Sequence, residues 1–182
     1  MSATLIKDYS VKSGDVFFFD TNVWMSIFGP LAGTRKAKQR GYSNLLRDIQ
    51  SARASIFVSS LVLAEYVNAC LQISFKMWKR LPENVMASDF KRDYRGTEDY
   101  KETLKDLKGQ VRDILQLADR ISDSFNAVDV VRFFDMQDID FNDAYYIELC
   151  NMQSNKVILV TDDKDILNSQ SARVQMLTAE TC

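Results

Sequence analysis

Short apolar runs alternate along the chain with longer stretches in which apolar residues recur every three or four positions. Val16–Phe19, Ser55–Val58 and Val157–Val160 are short, largely apolar and bounded by polar residues, which predicts buried strands. Residues 174–177 are predicted as an edge strand. Strands that alternate with helices form βαβ units, so the pattern predicts an α/β fold with a mainly parallel central sheet and helices on both faces.

Helices are predicted between these strands, with caps and breakers at their ends. The longest is capped by Ser59 or Ser60 and extends to about Arg80, because Leu81–Pro82 cannot continue a helix. The other predicted helices are Thr21–Phe28, which ends at Gly29–Pro30, residues 35–49 with Arg35 at the start, a helix from Asp140 or Asn142 to about Met152, and a short helix from Asp163.

Two stretches are less regular. Residues 83–122 are charged and periodic, which predicts one or two further helices with Gly96 and Gly109 as candidate breaks. Residues 128–134 fit either a strand or the tail of a helix. No internal repeat and no Gly-rich phosphate loop is found in the sequence.

The composition fits a single globular domain over residues 1–182. Hydrophobic residues make up 46% of the chain and charged residues 26%, with only two prolines and six glycines. A chain of this length buries most of its apolar surface. The formal charge of −2 gives no global signature of a nucleic-acid binder, although an enzyme needs only a local basic track.

The absence of histidine excludes Ser-His-Asp triads, Cys-His dyads and His-ligated zinc. Acid–base chemistry near neutral pH then depends on carboxylates, lysines or metal-bound water. Cys70, Cys150 and Cys182 are too widely spaced for a zinc finger or a disulfide framework, and the first two are predicted to pack inside helices. No signal sequence and no apolar run near ~20 residues is found, so we expect a cytoplasmic protein without membrane contacts.

Four acidic residues stand at predicted strand ends or within helices. Asp20 and Asp163 follow strands, and Asp143 lies in the first turn of a helix. Such positions converge at one edge of a parallel sheet, although each acid alone also fits a helix cap or a first-turn acid. Glu65 lies one to two turns inside a helix among apolar neighbours, where a carboxylate must face water, a partner or a metal.

Clustered carboxylates require a counter-ion. Two of them about 5 Å apart repel by roughly 3 kcal/mol at an effective dielectric constant of 20. Oxygen ligands without histidine or cysteine favour Mg²⁺ or Mn²⁺, as one ion or two. Because such ions lower the pKa of bound water and clamp a phosphate, the pattern predicts a hydrolase of phosphodiester bonds.

Polar residues share one face of the helix that carries Glu65. Asn68, Gln72, Lys76 and Lys79 follow it at steps of three or four residues. This face is either the solvated side of an amphipathic helix or a track that binds the backbone of a nucleic acid.

The ordered acidic blocks resemble the PIN domain family of metal-dependent ribonucleases, which includes the toxins of bacterial toxin–antitoxin pairs. The matching blocks are Asp20-Thr21-Asn22, Ser59-Ser60-Leu61-Val62-Leu63-Ala64-Glu65, Asn142-Asp143-Ala144 and Thr161-Asp162-Asp163. The resemblance implies that Asp20, Glu65, Asp143 and Asp163 are catalytic and hold the metal. The resemblance also implies that Thr161, Asn22 and Asp165 are accessory residues of the site. Asp162 competes with Asp163 for the role of metal ligand.

The resemblance further implies a PIN-like fold, a single-stranded RNA substrate, and an antitoxin and a homodimer as candidate partners. Residues 76–125 exceed the length of compact family members and are predicted to form a helical insertion. This insertion is interpreted either as a structural extension or partner surface, or as a substrate-binding lobe.

The leading hypothesis is an endoribonuclease that uses the four acids and a metal-activated water. The alternative is a catalytically weak PIN-like scaffold that binds RNA or protein, which the complete acidic set disfavours. A haloacid-type phosphohydrolase requires aspartate where Asn22 stands, and Asp15 and Lys164 match a receiver domain poorly.

Overall fold

Six parallel strands form one sheet in the computed structural model, which describes residues 3–30, 32–33, 36–153, 156–169 and 174–179. The strands are β1 Thr4–Leu5, β2 Val16–Phe19, β3 Ser55–Val58, β4 Asp119–Arg120, β5 Val157–Val160 and β6 Gln175–Thr178. Their order across the sheet is β1-β6-β5-β2-β3-β4. The predictions for β2, β3 and β5 are confirmed residue for residue.

The central strands are covered on both faces. Every residue of β2 and β5 is buried. Because successive side chains of a strand point to opposite faces, burial of all of them requires packing layers on both sides of the sheet. The predicted α/β class is therefore confirmed, and the described sheet is parallel throughout.

The strand order reverses beside β2. Val16 at the start of β2 pairs with Ser55 of β3 on one side and with Val157 of β5 on the other. A crevice opens outside the carboxyl ends of parallel strands at such a switch point. The residues that follow β2 and β5 therefore face the same crevice.

The described helices follow the predicted pattern closely. They are α1 Thr21–Phe28, α2 Lys36–Ala52, α3 Ser60–Trp78, α4 Glu98–Leu117, α5 Phe141–Met152 and α6 Lys164–Asn168. Ser59 caps α3 by accepting a hydrogen bond from the Val62 amide at 3.3 Å, and α3 ends two residues before the predicted Arg80. The predicted start of α2 at Arg35 lies outside the described residues, as does Cys182.

Several predictions of local structure are wrong in detail. Gly96 does interrupt the helical structure, with φ at 95°, but Gly109 lies inside α4. Residues 128–134 form no strand; Val130–Asp135 is a 3-10 helix. The strand predicted at the edge, β6, has the unpredicted β1 on its outer side, with Thr4 paired to Leu177.

Residues 76–125 contain the end of α3, short helical turns at Pro82–Asn84 and Phe90–Tyr94, α4 and β4. Aromatic rings join this segment to α3: Trp78 and Tyr94 have ring centroids 5.2 Å apart, and Phe75 meets Phe90 edge to face at 5.6 Å. The short β4 pairs with β3, so the segment also contributes to the sheet. Its interpretation as a partner surface stays a prediction.

Cys70 and Cys150 are buried free thiols, which confirms that they are packing residues. Burial raises the pKa of the Cys70 thiol to about 11, so the thiol stays protonated and unreactive near neutral pH. Among the described helices, none combines the length and the apolar character that a membrane crossing requires.

Candidate active site

Asp20 begins the site at the end of β2. The residue is 2% exposed, and its Oδ2 accepts hydrogen bonds from Thr161 Oγ1 at 2.7 Å and from Asn22 Nδ2 at 3.4 Å. Burial, opposed by the Thr161 hydrogen bond and reinforced by the negative charges of Glu65 and Asp163, raises the pKa of Asp20 to about 6. Asp20 precedes α1, but its side chain makes no capping hydrogen bond to that helix.

Glu65 is fixed by hydroxyl groups from two other helices. Thr21 Oγ1, on α1, donates to Glu65 Oε2 at 2.8 Å, and the Tyr146 hydroxyl, on α5, donates to the same oxygen. Glu65 is half-buried. Glu65 thus lies at the half-buried end of the polar face of α3, where two hydroxyl groups hold its carboxylate.

Asp143 shows that the four acids share one electrostatic environment. The residue is 9% exposed, and its pKa is raised to about 8, chiefly by burial. The negative charges of Asp140, Asp20, Asp163 and Glu65 raise it further, in that order. Asp140 is the N-cap of α5, and its side chain accepts a hydrogen bond from the Asp143 amide at 3.1 Å. Asp143 lies in the first turn of α5 and is not the residue that caps the helix.

The turn after β5 separates its three aspartates. Asp163 lies close enough to affect Asp20 and Asp143, and its amide donates to Thr161 Oγ1 at 2.9 Å. Asp162 instead forms an ion pair with Lys38 Nζ at 2.5 Å and accepts from Thr178 Oγ1 at 2.8 Å. These contacts direct Asp162 toward α2 and β6, away from the acidic cluster.

Asp165 is an exposed residue of the first turn of α6. Its amide donates to Asp163 Oδ1 at 2.9 Å, so Asp163 both caps α6 and faces the other acids. A cleft of about 520 Å³ opens beside this turn. Its lining includes Asn22, Ser26, Lys38, Asp163, Lys164 and Asp165.

The predicted track on α3 is a solvent-facing stripe. Asn68, Gln72 and Lys76 are exposed, and Lys79 is partly covered because its Nζ lies 5.5 Å from the centroid of the Phe75 ring. The stripe leads away from Glu65 along the helix. The geometry fits both interpretations, a solvated face and a binding surface.

Comparison with known families gives a match to the PIN domain over residues 17–170. The chain belongs to the PIN domain family. Among curated proteins, no match is found. PIN domains are generally nucleases and typically depend on divalent metal ions. The matched range contains all four acids, from Asp20 to Asp163.

The donor set of this PIN domain fits such an ion in its chemistry. The four acids supply only oxygen ligands, and their mutual repulsion would be relieved by a cation. Within the described residues, however, no three acidic or thiol side chains already form a group that could hold a metal ion. The structure thus brings the acids into electrostatic range of one another without gathering them into a ready-made coordination site.

Sequence reasoning missed Tyr146 and the donor role of Thr21. Tyr146 lies three residues after Asp143 in α5, so both share a helix face, and this spacing is the signal that the sequence offers. Thr21 stands in the first acidic block, next to Asp20. Its distant partner Glu65 is 44 residues away in the sequence, and no local pattern identifies that contact.

Proposed function

We propose that this PIN domain is an endoribonuclease that hydrolyses single-stranded RNA with Mg²⁺ or Mn²⁺. The observation that carries the proposal is the convergence of the four acids: burial raises the pKa of Asp143, and the charges of Asp140, Asp20, Asp163 and Glu65 raise it further. Asp20, Glu65 and Asp163 lie on other elements and all act on Asp143, and this proximity supports a shared cation site. Membership of a family that is generally nucleolytic supports the same reaction class.

Asp20, Glu65, Asp143 and Asp163 would hold the ion. When bound, it would supply positive charge to a scissile phosphate and lower the pKa of a water molecule. The protein's own contribution is to keep these carboxylates oriented: Thr161 anchors Asp20, and Thr21 anchors Glu65. The cleft lined by Asn22, Ser26 and Lys164 would admit an unpaired strand next to Asp163.

Cleavage of labelled single-stranded RNA by the wild type, Asp20→Asn and Asp48→Asn tests the proposal. Asp48 is an exposed acid on α2, so Asp48→Asn serves as the matched control for loss of one charge. We expect the wild type and Asp48→Asn to cleave the RNA, EDTA to stop both, and Asp20→Asn to be inactive. Equal cleavage by all three proteins, or cleavage that persists in EDTA, would rule out this mechanism.

The toxin role is part of the same proposal. Toxin members of the family are ribonucleases with an antitoxin partner, and a homodimer and a cytoplasmic location would accompany that role here. Expression of the wild type should arrest growth, and Asp20→Asn should not. Growth arrest by both proteins would show that the effect does not come from cleavage.

The scaffold alternative is favoured by one specific observation, the lack of a preassembled metal group among the described residues. A module that only binds RNA or protein needs no such group. Calorimetric titration with Mn²⁺ separates the two functions, because a scaffold would show no Mn²⁺ binding that depends on Glu65.

A further inference from the structure

Glu65 is held through only one of its two carboxylate oxygens. Thr21 Oγ1 and the Tyr146 hydroxyl both donate to Oε2, and these two hydroxyl oxygens lie 3.4 Å apart. Within the described part of the chain, Oε1 accepts no hydrogen bond. The three oxygens form a compact cluster that leaves Oε1 as the oxygen open to another partner.

We propose that Tyr146 is a positioning residue that, together with Thr21, occupies Glu65 Oε2 and presents Oε1 to a divalent cation. The inference rests on the proposed function, because it assigns the cation to the site of the four acids. Ligating carboxylates are commonly oriented by hydrogen bonds from residues that do not touch the ion, and such partners determine affinity. Tyr146 acts through Glu65.

The packing of Tyr146 gives its hydroxyl a fixed position. The side chain is fully buried, and its ring lies against Phe18 of β2 with the centroids 5.7 Å apart. Because the buried ring packs against the central strand, its hydroxyl has a fixed position, and the hydrogen bond from this hydroxyl fixes the Glu65 carboxylate. Because Asp143 precedes Tyr146 by three residues on α5, the same helix places one acid and orients another.

Asp20 is anchored in the same manner. Thr161 Oγ1 and Asn22 Nδ2 both approach its Oδ2, as the two hydroxyls approach Oε2 of Glu65. Two acids on different elements are thus each oriented by hydrogen bonds from neighbouring groups. Carboxylates that bind a cation are commonly oriented in this way by residues that do not touch the ion.

Titration with Mn²⁺ by calorimetry, with electron paramagnetic resonance of the bound ion as a second readout, tests the role without measuring activity. Tyr146→Phe keeps the ring and removes the hydroxyl, and we expect it to weaken Mn²⁺ binding about tenfold or more. Tyr145→Phe is the matched control, because Tyr145 is also buried on α5 but donates to the Asp123 carbonyl at 2.7 Å. It should bind Mn²⁺ like the wild type.

A double-mutant cycle separates positioning from general damage to the fold. In a Glu65→Gln background, Tyr146→Phe should produce no further loss of Mn²⁺ affinity. Thr21→Val removes the other donor and should weaken binding in the same direction, and it replaces Tyr146→Phe if that variant does not fold.

Several results would overturn the inference. These are wild-type affinity in a folded Tyr146→Phe or Thr21→Val, an equal loss in Tyr145→Phe, and a wild type that binds no Mn²⁺. If the affinities follow the prediction while the wild type leaves RNA intact, the positioning role stands and the ribonuclease proposal alone fails.

Discussion

At the scale of single residues, Asp143 has the most strongly raised pKa among the carboxyl groups that the structure describes. Burial and four neighbouring carboxylates raise its pKa to about 8, while Asp20, which receives a hydrogen bond from Thr161, reaches only about 6. The difference follows from local contacts, because a hydrogen-bond donor stabilises the charged form of a carboxyl group. Asp143 therefore stays largely protonated near neutral pH unless a cation is bound.

This pKa predicts how stability depends on pH in EDTA. Because the pKa of Asp143 is higher in the folded chain than its ordinary value of 3.8, the folded state binds the proton more tightly. The free energy of unfolding should therefore fall as the pH rises from about 4 to about 8. Asp143→Asn removes this titration and should gain stability relative to the wild type across that window.

Urea denaturation of both proteins at several pH values measures the effect. The exposed acid variant Asp48→Asn is the control and should follow the wild type. A constant difference between wild type and Asp143→Asn from pH 4 to pH 8 would contradict the assignment.

The aspartates after β5 give a second prediction at this scale. Asp162→Asn disrupts a buried ion pair with Lys38, so it should lower the free energy of unfolding by about 3 kcal/mol and leave Mn²⁺ affinity intact. Asp163→Asn should cause a large loss of Mn²⁺ affinity and only a small decrease in the free energy of unfolding. Chemical denaturation and calorimetry on the two variants decide the assignment, and loss of Mn²⁺ binding in Asp162→Asn would refute it.

The candidate site was predictable from sequence only where local structure determines it. Asp20 and Asp163 follow apolar strands, and that pattern places them at the same edge of the sheet. The choice between Asp162 and Asp163 was not predictable, because it depends on Lys38 from a helix more than a hundred residues earlier. The same holds for Tyr146, whose partner Glu65 is 81 residues away.

At the scale of elements, strong hydrophobic periodicity and clear end signals in the sequence were sufficient to predict helices and strands. The bounds of α1, from the residue after Asp20 to the residue before Gly29, follow from sequence alone. The two-residue strands β1 and β4 carry no periodic signal, since their conformation depends on pairing with β6 and β3. Gly109 is a misleading signal because a glycine in a long helix is tolerated when the rest of the helix packs well.

The two glycines predict opposite effects of the same substitution. Gly109 lies inside α4 with open space where the methyl group of an alanine would stand, so Gly109→Ala should raise the free energy of unfolding by about 0.5–1 kcal/mol. Gly96 also has open space but a φ of 95°, so Gly96→Ala should lower it by roughly 1–2 kcal/mol. Denaturant titrations of both variants compare them, and effects of equal sign would contradict the backbone argument.

At the scale of the whole molecule, the parallel topology links cation binding to global stability. The four acids lie on elements from α1's cap to α6's cap, so an ion that binds them holds distant parts of the chain together. Binding to the folded state alone should stabilise it by about 2.7 kcal/mol at a concentration one hundred times the dissociation constant.

Thermal denaturation with and without Mn²⁺ measures this linkage. The melting temperature of the wild type should rise with Mn²⁺, and that of Asp20→Asn should change little. The rise should be larger at pH 8 than at pH 6, because fewer protons have to leave Asp143 when the ion binds. A similar rise in both proteins would mean that Mn²⁺ binds elsewhere.

The borders of the sheet have a consequence for how the molecule behaves at high concentration. Within the described residues the sheet ends on each side in a strand of two residues, β1 and β4, and β4 consists of the exposed charged pair Asp119 and Arg120. Edge strands this short offer few unpaired amides to a neighbouring chain, and charged side chains on them disfavour strand pairing between molecules. Short edge strands of this kind therefore disfavour the growth of an intermolecular sheet.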